Sequence, residues 1–308
     1  MTRPPEESPS AYFARTDVVA EYSEFDFLLP PERRILNELG DKLQGARILD
    51  LGVGAGRTAI HLAPRASRYV GIDVSRPMIE ACERRFRGRF ASDRVEFREG
   101  DVRDLRAIPD DSFDFVLFSF NGLDVVGRHA ERLDALGEVA RVCATGGMFC
   151  FSSHNLHAAH AGFSIISNVR ALWNSRSSWK DKLRLLAQPR TVGSSIIHPL
   201  RWRRLNAGKS LQSVPYAHVI EERPRYEFIR GCYDAPAERI RVKKYYVRPD
   251  EQMEQLRRFG FGDVRVFQPD GEEITCQLAS GMSRSWWLYY LTTAGPAFDD
   301  SKTLGVLD

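Results

Sequence analysis

Cysteine is scarce: 308 residues hold five, Cys82, Cys143, Cys150, Cys232 and Cys276. None stands in a C-x-x-C pair, and an odd number in a chain this long argues against a disulfide framework. Reduced thiols in a cytoplasmic setting are the expectation. An excess of one charge is also lacking, with 44 basic against 41 acidic residues and a net +3. So even a balance gives no compositional case for a nucleic-acid binder. Long apolar runs are missing. The most apolar stretch, residues 113–120, includes Asp114 and is far too short to span a bilayer. The first ten residues carry three Pro and two Glu and no apolar core, so a signal peptide is not expected there. What is present is globular: 43% apolar residues, with 18 Phe, 10 Tyr and 5 Trp, enough to bury a core. That excludes a wholly disordered chain, a collagen and a disulfide mini-protein.

The chain then falls into a rhythm. A helix-compatible stretch at 12–24 is broken by Pro30-Pro31, and a helix over 32–39 ends at Gly40. Short buried strands are expected at 47–51, 68–72, 95–99, 113–119 and 148–152. Helices are expected between them at 57–63, 76–86 (capped by Ser75, with Pro77 in its first turn) and 128–142. Strands alternating with helices at this spacing imply a parallel, doubly wound α/β sheet. After Ser152 the rhythm stops, and it resumes with a helix at 251–259 and strands at 263–268 and 286–292. The domain is thus read as 46–154 plus 249–295, preceded by a tail and lid helices at 1–45 and followed by a tail at 296–308. Residues 155–248 form an insertion too long for a plain loop. Its second half reads as a β-hairpin, 225–233 and 239–247, turning at 234–236.

The most informative segment is Ile48-Leu49-Asp50-Leu51-Gly52-Val53-Gly54-Ala55-Gly56-Arg57. A strand that ends in a glycine turn and opens a helix lets a ligand approach the backbone closely. Asp73, at the end of the second strand, can accept both hydroxyls of a ribose. Dinucleotides and S-adenosylmethionine both fit this far. The dinucleotide fingerprint G-x-G-x-x-G wants a third glycine where Arg57 stands. Asp50, two residues before the turn, would repel a pyrophosphate but suit the amino group of a methionine. Further on, Asp101 can accept from an adenine amino group.

The segments "LDLGVGAGR", "VGIDVSRPMIEAC", "GDVRDL", "FDFVLFSFNGLD" and "GGMFCF", in this order, resemble the class I S-adenosylmethionine-dependent methyltransferases. The resemblance spans 46–153, with 251–291 as the closing helix and strands. It implies a seven-stranded, mostly parallel, Rossmann-like sheet whose last strand, at 286–291, is antiparallel, with the insertion after strand five as a helical and β-hairpin cap. It also implies that S-adenosylmethionine binds and leaves as S-adenosylhomocysteine. Gly52 and Gly54 would pass under the methionine part, with Asp50 near its amine. Asp73 would hold the ribose, Val74 and Met78 would flank the adenine, and Asp101 and Val102 would read its edge. The backbone at Phe118 and Ser119 would meet the methionine end, and Tyr12 and Tyr22 would belong to a lid.

Methyl transfer needs an aligned nucleophile, and an oxygen nucleophile often needs a base as well. Asn121, Asp124 and His154 follow strands four and five, where ligands of parallel sheets bind. His154 is the candidate base because its pKa lies near neutrality. His154, His157 and His160 are spaced H-x-x-H-x-x-H, but steps of three drift around a helix and no Cys or carboxylate cluster accompanies them, so no metal is expected. Residues 170–209 carry ten basic side chains against one acid, Asp181, interleaved with Trp173, Trp179 and Trp202. A solvated cap is the plain reading of this stretch. An anionic membrane, an acidic or lipid-linked substrate, or RNA are its alternatives, with nucleic acid the least favoured. The expectation is a cytoplasmic methyltransferase acting on an O or N atom of a small molecule. An enzyme of RNA or a lipid-linked glycan, or a non-catalytic S-adenosylmethionine-binding protein, are the alternatives.

Overall fold

The computed structural model describes residues 8–91, 93–157, 214–225, 228–229, 232–233, 238–276 and 285–296. Helices α1 (Pro9–Phe13), α2 (Thr16–Ser23) and α3 (Pro30–Leu39) lead into a run of strands and helices: β1 (Arg47–Leu51), α4 (Ala59–Leu62), β2 (Arg68–Asp73), α5 (Arg76–Phe86), β3 (Val95–Glu99), β4 (Phe113–Phe118), α6 (His129–Val142) and β5 (Cys143–His154). After the insertion come α7 (Pro249–Arg258), β10 (Phe261–Phe267), β11 (Glu273–Ile274) and β12 (Trp287–Ala294). Where one helix is expected at 12–24, two form. Arg15 is extended between them and turns its guanidinium onto Asp17 at 2.6 Å.

One sheet joins eight strands in the order β11-β10-β12-β5-β4-β1-β2-β3. The eighth strand, beyond the seven expected, is the two-residue β11 on the edge of β10. β12 is antiparallel to both of its neighbours, β5 and β10, as the resemblance implies. β1 lies between β2 and β4, both parallel to it, so the chain order reverses beside β1. That reversal opens a crevice at the carboxyl ends of the strands.

Both sheet faces are covered, and this explains the near-continuous apolar strands. Leu49 and Leu51 point into the layer that holds Leu136 and Val139 of α6 and Leu256 of α7. Ile48 points the other way, into the layer with Ile35 of α3, Leu62 of α4 and Ile79 and Phe86 of α5. Each fully buried side chain of this size contributes roughly 1.5–3 kcal/mol relative to exposure. Ser75 caps α5 by accepting from the Met78 amide, and Pro77 sits in its first turn, as expected.

The inserted ribbon differs from the expected hairpin. β6 (Tyr216–Arg225) pairs antiparallel with β9 (Glu238–Val247), so the first arm lies upstream of 225–233. Within the expected arm, β7 (Phe228–Ile229) instead pairs with β8 (Cys232–Tyr233). The reason is anchoring at the other end. Tyr216 stacks on His129 at 3.9 Å between centroids, and Tyr245 meets His129 Nδ1 through its hydroxyl at 2.7 Å. These contacts clamp the ribbon to the start of α6 and fix which residues face each other. The expected turn at 234–236, His160 and the basic stretch 170–209 lie outside the described residues.

Candidate active site

The glycine turn after β1 forms the floor of a cavity of about 370 Å³ at the switch point. That volume falls within the roughly 300–1,000 Å³ of small-molecule sites. Gly52 and Gly54 have φ of 61° and 56°, the left-handed region. A Cβ on Gly52 would lie 2.9 Å from the Phe118 ring, and one on Gly54 3.4 Å from Tyr22. Glycine is what leaves the cavity floor open here. Asp73, at the end of β2, is held rigidly. Its Oδ2 accepts from the Gly54 amide at 2.8 Å and its Oδ1 from the Ser75 amide at 2.9 Å. Burial raises its pKa against those hydrogen bonds. Each carboxylate oxygen retains acceptor capacity toward the cavity.

Nine of the expected cofactor residues line this cavity: Tyr22, Gly52, Gly54, Asp73, Val74, Asp101, Val102, Phe118 and Ser119. Val74 is 40% exposed there, a large apolar side chain presented to the space. Asp101 pairs with Arg103 at 2.5 Å, and that hydrogen bond holds its carboxyl below the usual range. A glycine cradle, a ribose-competent carboxylate, an exposed apolar wall and an acceptor beyond it fit an adenosyl ligand.

Three expected residues fall elsewhere. Asp50 is 1% exposed and faces away from the cavity: its Oδ2 accepts from Thr58 Oγ1 at 2.5 Å and from the Tyr69 hydroxyl at 2.6 Å. Burial lifts its carboxyl to about 6, against those hydrogen bonds. Met78 is buried against Val18 and Val19 of α2 rather than beside the cavity. Tyr12 packs against the same cluster, as does its neighbour Phe13, which also lines the cavity.

Sequence reasoning missed a buried network at the rim. Arg57 forms two bonds of 2.6 Å to Glu32, and donates to the Phe27 carbonyl at 2.9 Å and to Ser119 Oγ at 2.8 Å. Glu32 also accepts from the Tyr289 hydroxyl at 2.6 Å and from Ser119. Burial acts to raise the Glu32 pKa, but Arg57, Ser119 and Tyr289 outweigh it and leave it lowered. The Arg57 guanidinium lies 4.0 Å over the Phe120 ring, which also lines the cavity. The one signal in the sequence was Arg57 standing where the dinucleotide pattern wants glycine.

Asn121, Asp124 and His154 come together, and none of the three is among the residues that line the cavity. His154 Nδ1 and its backbone amide both reach Asp124 Oδ2 at 2.6 Å. Asp124 Oδ1 accepts from Arg132 and from Ser153 Oγ, each at 2.7 Å. Burial acts to raise the Asp124 pKa, and Arg132, His154 and Ser153 together carry it below its ordinary value. An ionised carboxylate can only accept, so Nδ1 carries the proton and a neutral His154 presents a lone pair on Nε2. Asn121 Nδ2 lies 3.4 Å from that nitrogen, and Asn121 Oδ1 is buried with no hydrogen-bond partner among the described residues. The residues on either side of Asn121, Phe120 and Gly122, line the cavity. Arg132 and Lys244, which stands 3.5 Å from His154 Nε2, were not anticipated.

Among the described residues, no group of three His, Cys, Asp or Glu could hold a metal, and no helix is long and apolar enough to cross a membrane. A family model described as a methyltransferase domain matches residues 48–147. Demethylmenaquinone methyltransferase of Clavibacter sepedonicus is 34% identical over 184 residues, which cover 53% of this chain and 70% of that one. The tRNA 5-carboxymethoxyuridine methyltransferase of Escherichia coli K12 is 30% identical over 124 residues, 40% of this chain but only 45% of that enzyme. A crystal structure of an S-adenosylmethionine-dependent methyltransferase from Clostridium acetobutylicum superposes with a TM-score of 0.51 at 12% identity, covering 90% of this chain and 92% of that one, which is a likeness of fold. The chain belongs to the class I S-adenosylmethionine-dependent methyltransferases.

Proposed function

We propose that the enzyme methylates an O or N atom of a small-molecule acceptor, with His154 as the base. The supporting observation is the His154–Asp124 pair, bonded at 2.6 Å and reached by Asn121, whose chain neighbours Phe120 and Gly122 line the cavity. S-adenosylmethionine, when bound, supplies a methyl group on a sulfonium, an electrophile that needs no further activation. The chain's own work is to hold it and to prepare the acceptor. Gly52 and Gly54 lie under the methionine part, and the Phe118–Ser119 backbone meets its end. Asp73 takes the ribose hydroxyls. Val74 covers one adenine face, and Asp101 and Val102 meet the adenine edge. Tyr22 sits over the turn as part of the lid.

On the acceptor side, Asp124 fixes the imidazole tautomer and stabilises the imidazolium that forms on proton uptake. Asn121 offers its unpaired Oδ1 to a donor on the acceptor. Residues 155–248 serve as the substrate cap on a domain built from 46–154 and 249–295. The β6–β9 ribbon supports this, because it brings Lys244 and Tyr246 up to His154.

Release of S-adenosylhomocysteine, measured with a panel of phenols, carboxylic acids and amines and in parallel with bulk tRNA, tests the reading. Turnover of panel members is expected, falling roughly 10²–10⁴-fold in His154→Gln. Turnover of tRNA alone would assign a nucleic-acid acceptor, and panel turnover unchanged in His154→Gln would remove His154 from the chemistry.

A further inference from the structure

Asp101 and Arg103 both line the cavity, and Arg103 occupies the carboxylate that an adenine amino group would need. Asp101 Oδ1 accepts from the Arg103 backbone amide and from Arg103 Nε, each at 2.9 Å. Asp101 Oδ2 accepts from the same Nε at 2.9 Å and from Nη2 at 2.5 Å. An ionised carboxylate has about four lone-pair sites, so these contacts fill them. A further donor enters only by displacing one. The backbone amide belongs to a turn closed by the Asp104 amide on the Asp101 carbonyl at 3.0 Å, so the guanidinium is the group that can give way. A second carboxylate stands within its reach. Arg103 Nη1 lies 3.5 Å from Oε1 of Glu131, in the first turn of α6. That oxygen is loosely held, with Arg128 Nε and Nη2 at 3.4 and 3.3 Å, whereas Oε2 takes the Arg128 backbone amide at 2.7 Å.

We propose that Arg103 is a positioning residue that competes with the adenine amino group for Asp101 and passes to Glu131 when the cofactor binds. This inference rests on the reading that Asp101 meets the adenine edge. In the exchange the amino N–H donates to Asp101 in place of a guanidinium N–H, and the guanidinium closes on Glu131 Oε1. One ion pair replaces another, so binding strands no cation. The Arg103 side chain is 43% exposed, and water solvates it while it changes partner. Two consequences have opposite signs. Loss of Arg103 frees Asp101 and strengthens cofactor binding. Loss of the Glu131 charge leaves the displaced guanidinium without a carboxylate and weakens it.

The test is binding to the full chain, read by calorimetric titration with two ligands: S-adenosylhomocysteine, and its analogue with hydrogen in place of the adenine amino group. Arg103→Met is expected to tighten S-adenosylhomocysteine by roughly two- to fivefold, the range of an exposed ion pair, and to leave the analogue unaltered. Glu131→Gln, whose amide oxygen can still cap α6, is expected to weaken S-adenosylhomocysteine by a similar factor, and to have no effect in the Arg103→Met background. Unaltered affinity for the analogue shows that each variant remains folded. An Arg103 that only braces its loop predicts the other sign. S-adenosylhomocysteine binding that is weakened or unaltered in Arg103→Met overturns the proposal, as does a change shared by both ligands or a Glu131→Gln effect that persists without Arg103. Failure of the underlying reading shows separately: Asp101→Asn with wild-type S-adenosylhomocysteine affinity would refute the adenine assignment, and the proposal with it.

Discussion

Asp73→Asn changes little in shape, yet it sets buried donors against each other. Both carboxylate oxygens accept a backbone amide, Oδ2 from Gly54 at 2.8 Å and Oδ1 from Ser75 at 2.9 Å. Whichever way an asparagine amide is turned, its NH₂ faces one of those N–H groups. If it faces Gly54, the glycine turn loses its tether to β2; if it faces Ser75, the start of α5 does. One buried amide left without an acceptor costs about 1–3 kcal/mol, so the unliganded variant should unfold at correspondingly lower urea. On the ligand side the ribose offers two hydroxyls, and the asparagine oxygen can still take one. The loss is then one hydrogen bond to a charged acceptor, about 1.5–3 kcal/mol, or roughly 10- to 150-fold in affinity. Isothermal titration with S-adenosylhomocysteine reads this directly. Wild-type affinity in a variant that unfolds earlier would show that Asp73 only braces the turn. The ribose assignment, and the cofactor map built on it, would then be wrong.

Three further substitutions act on the buried charges. Glu32→Gln leaves the Arg57 guanidinium buried without its carboxylate and should destabilise by about 3–5 kcal/mol, while Glu32→Gln with Arg57→Met should recover much of that; urea midpoints of the two variants decide it. Glu32 has a lowered folded-state pKa, so its contribution is complete above its unfolded value of 4.5 and is lost as pH falls through the lower folded value. The wild type should therefore lose stability below about pH 4.5 more steeply than the double variant. Asp50 behaves in the opposite sense: its folded value, raised to about 6 from 3.8, gives stability that is present below 3.8 and lost as pH rises to about 6. Asp50→Asn should thus gain on the wild type across that window, by up to roughly 3 kcal/mol; a stability difference independent of pH would contradict the assignment.

Much of the cavity floor was legible because it is local. Strand, glycine turn and helix follow one another within 47–62, Asp73 ends the next strand and Asp101 follows the end of the one after, so spacing alone brings them to one edge. Asp50 shows where that logic stops. Successive strand residues alternate faces, and Asp50 shares the face of Ile48, toward Tyr69, while the cavity lies beyond the strand's end. Proximity in sequence to the turn did not determine direction. Tyr12 and Met78 lie in the cluster around Val18, where Phe13 and Tyr22 also pack, and only the latter two reach the cavity; helix spacing did not separate them. Arg57 joins Glu32, Ser119 and Tyr289, which come from α3, the end of β4 and β12. No motif spans that distance in the chain. Lys244 is harder still, since nothing in Arg241-Val242-Lys243-Lys244 marks which of the two lysines turns inward.

The two halves of the site meet in a strained turn. Phe120 and Asn121 have φ of 53° and 57°, consecutive left-handed residues of which neither is glycine. Such conformations cost on the order of 1–3 kcal/mol each and persist only where the surroundings impose them. Here the surroundings come from both halves. The Phe120 ring lies under the Arg57 guanidinium at 4.0 Å and meets the edges of Tyr22 and Phe25 at 6.4 and 6.3 Å. The Asn121 amide donates to Ser152 Oγ at 2.8 Å, and its carbonyl accepts from the Asp124 amide at 3.0 Å. The turn that brings Phe120 to the cavity thus also sets Asp124 against His154. An unstrained connection would release Phe120 from the cavity wall and Asp124 from the imidazole together. Arg57 therefore bears on the placing of Asp124 against His154 as well as on the cavity rim.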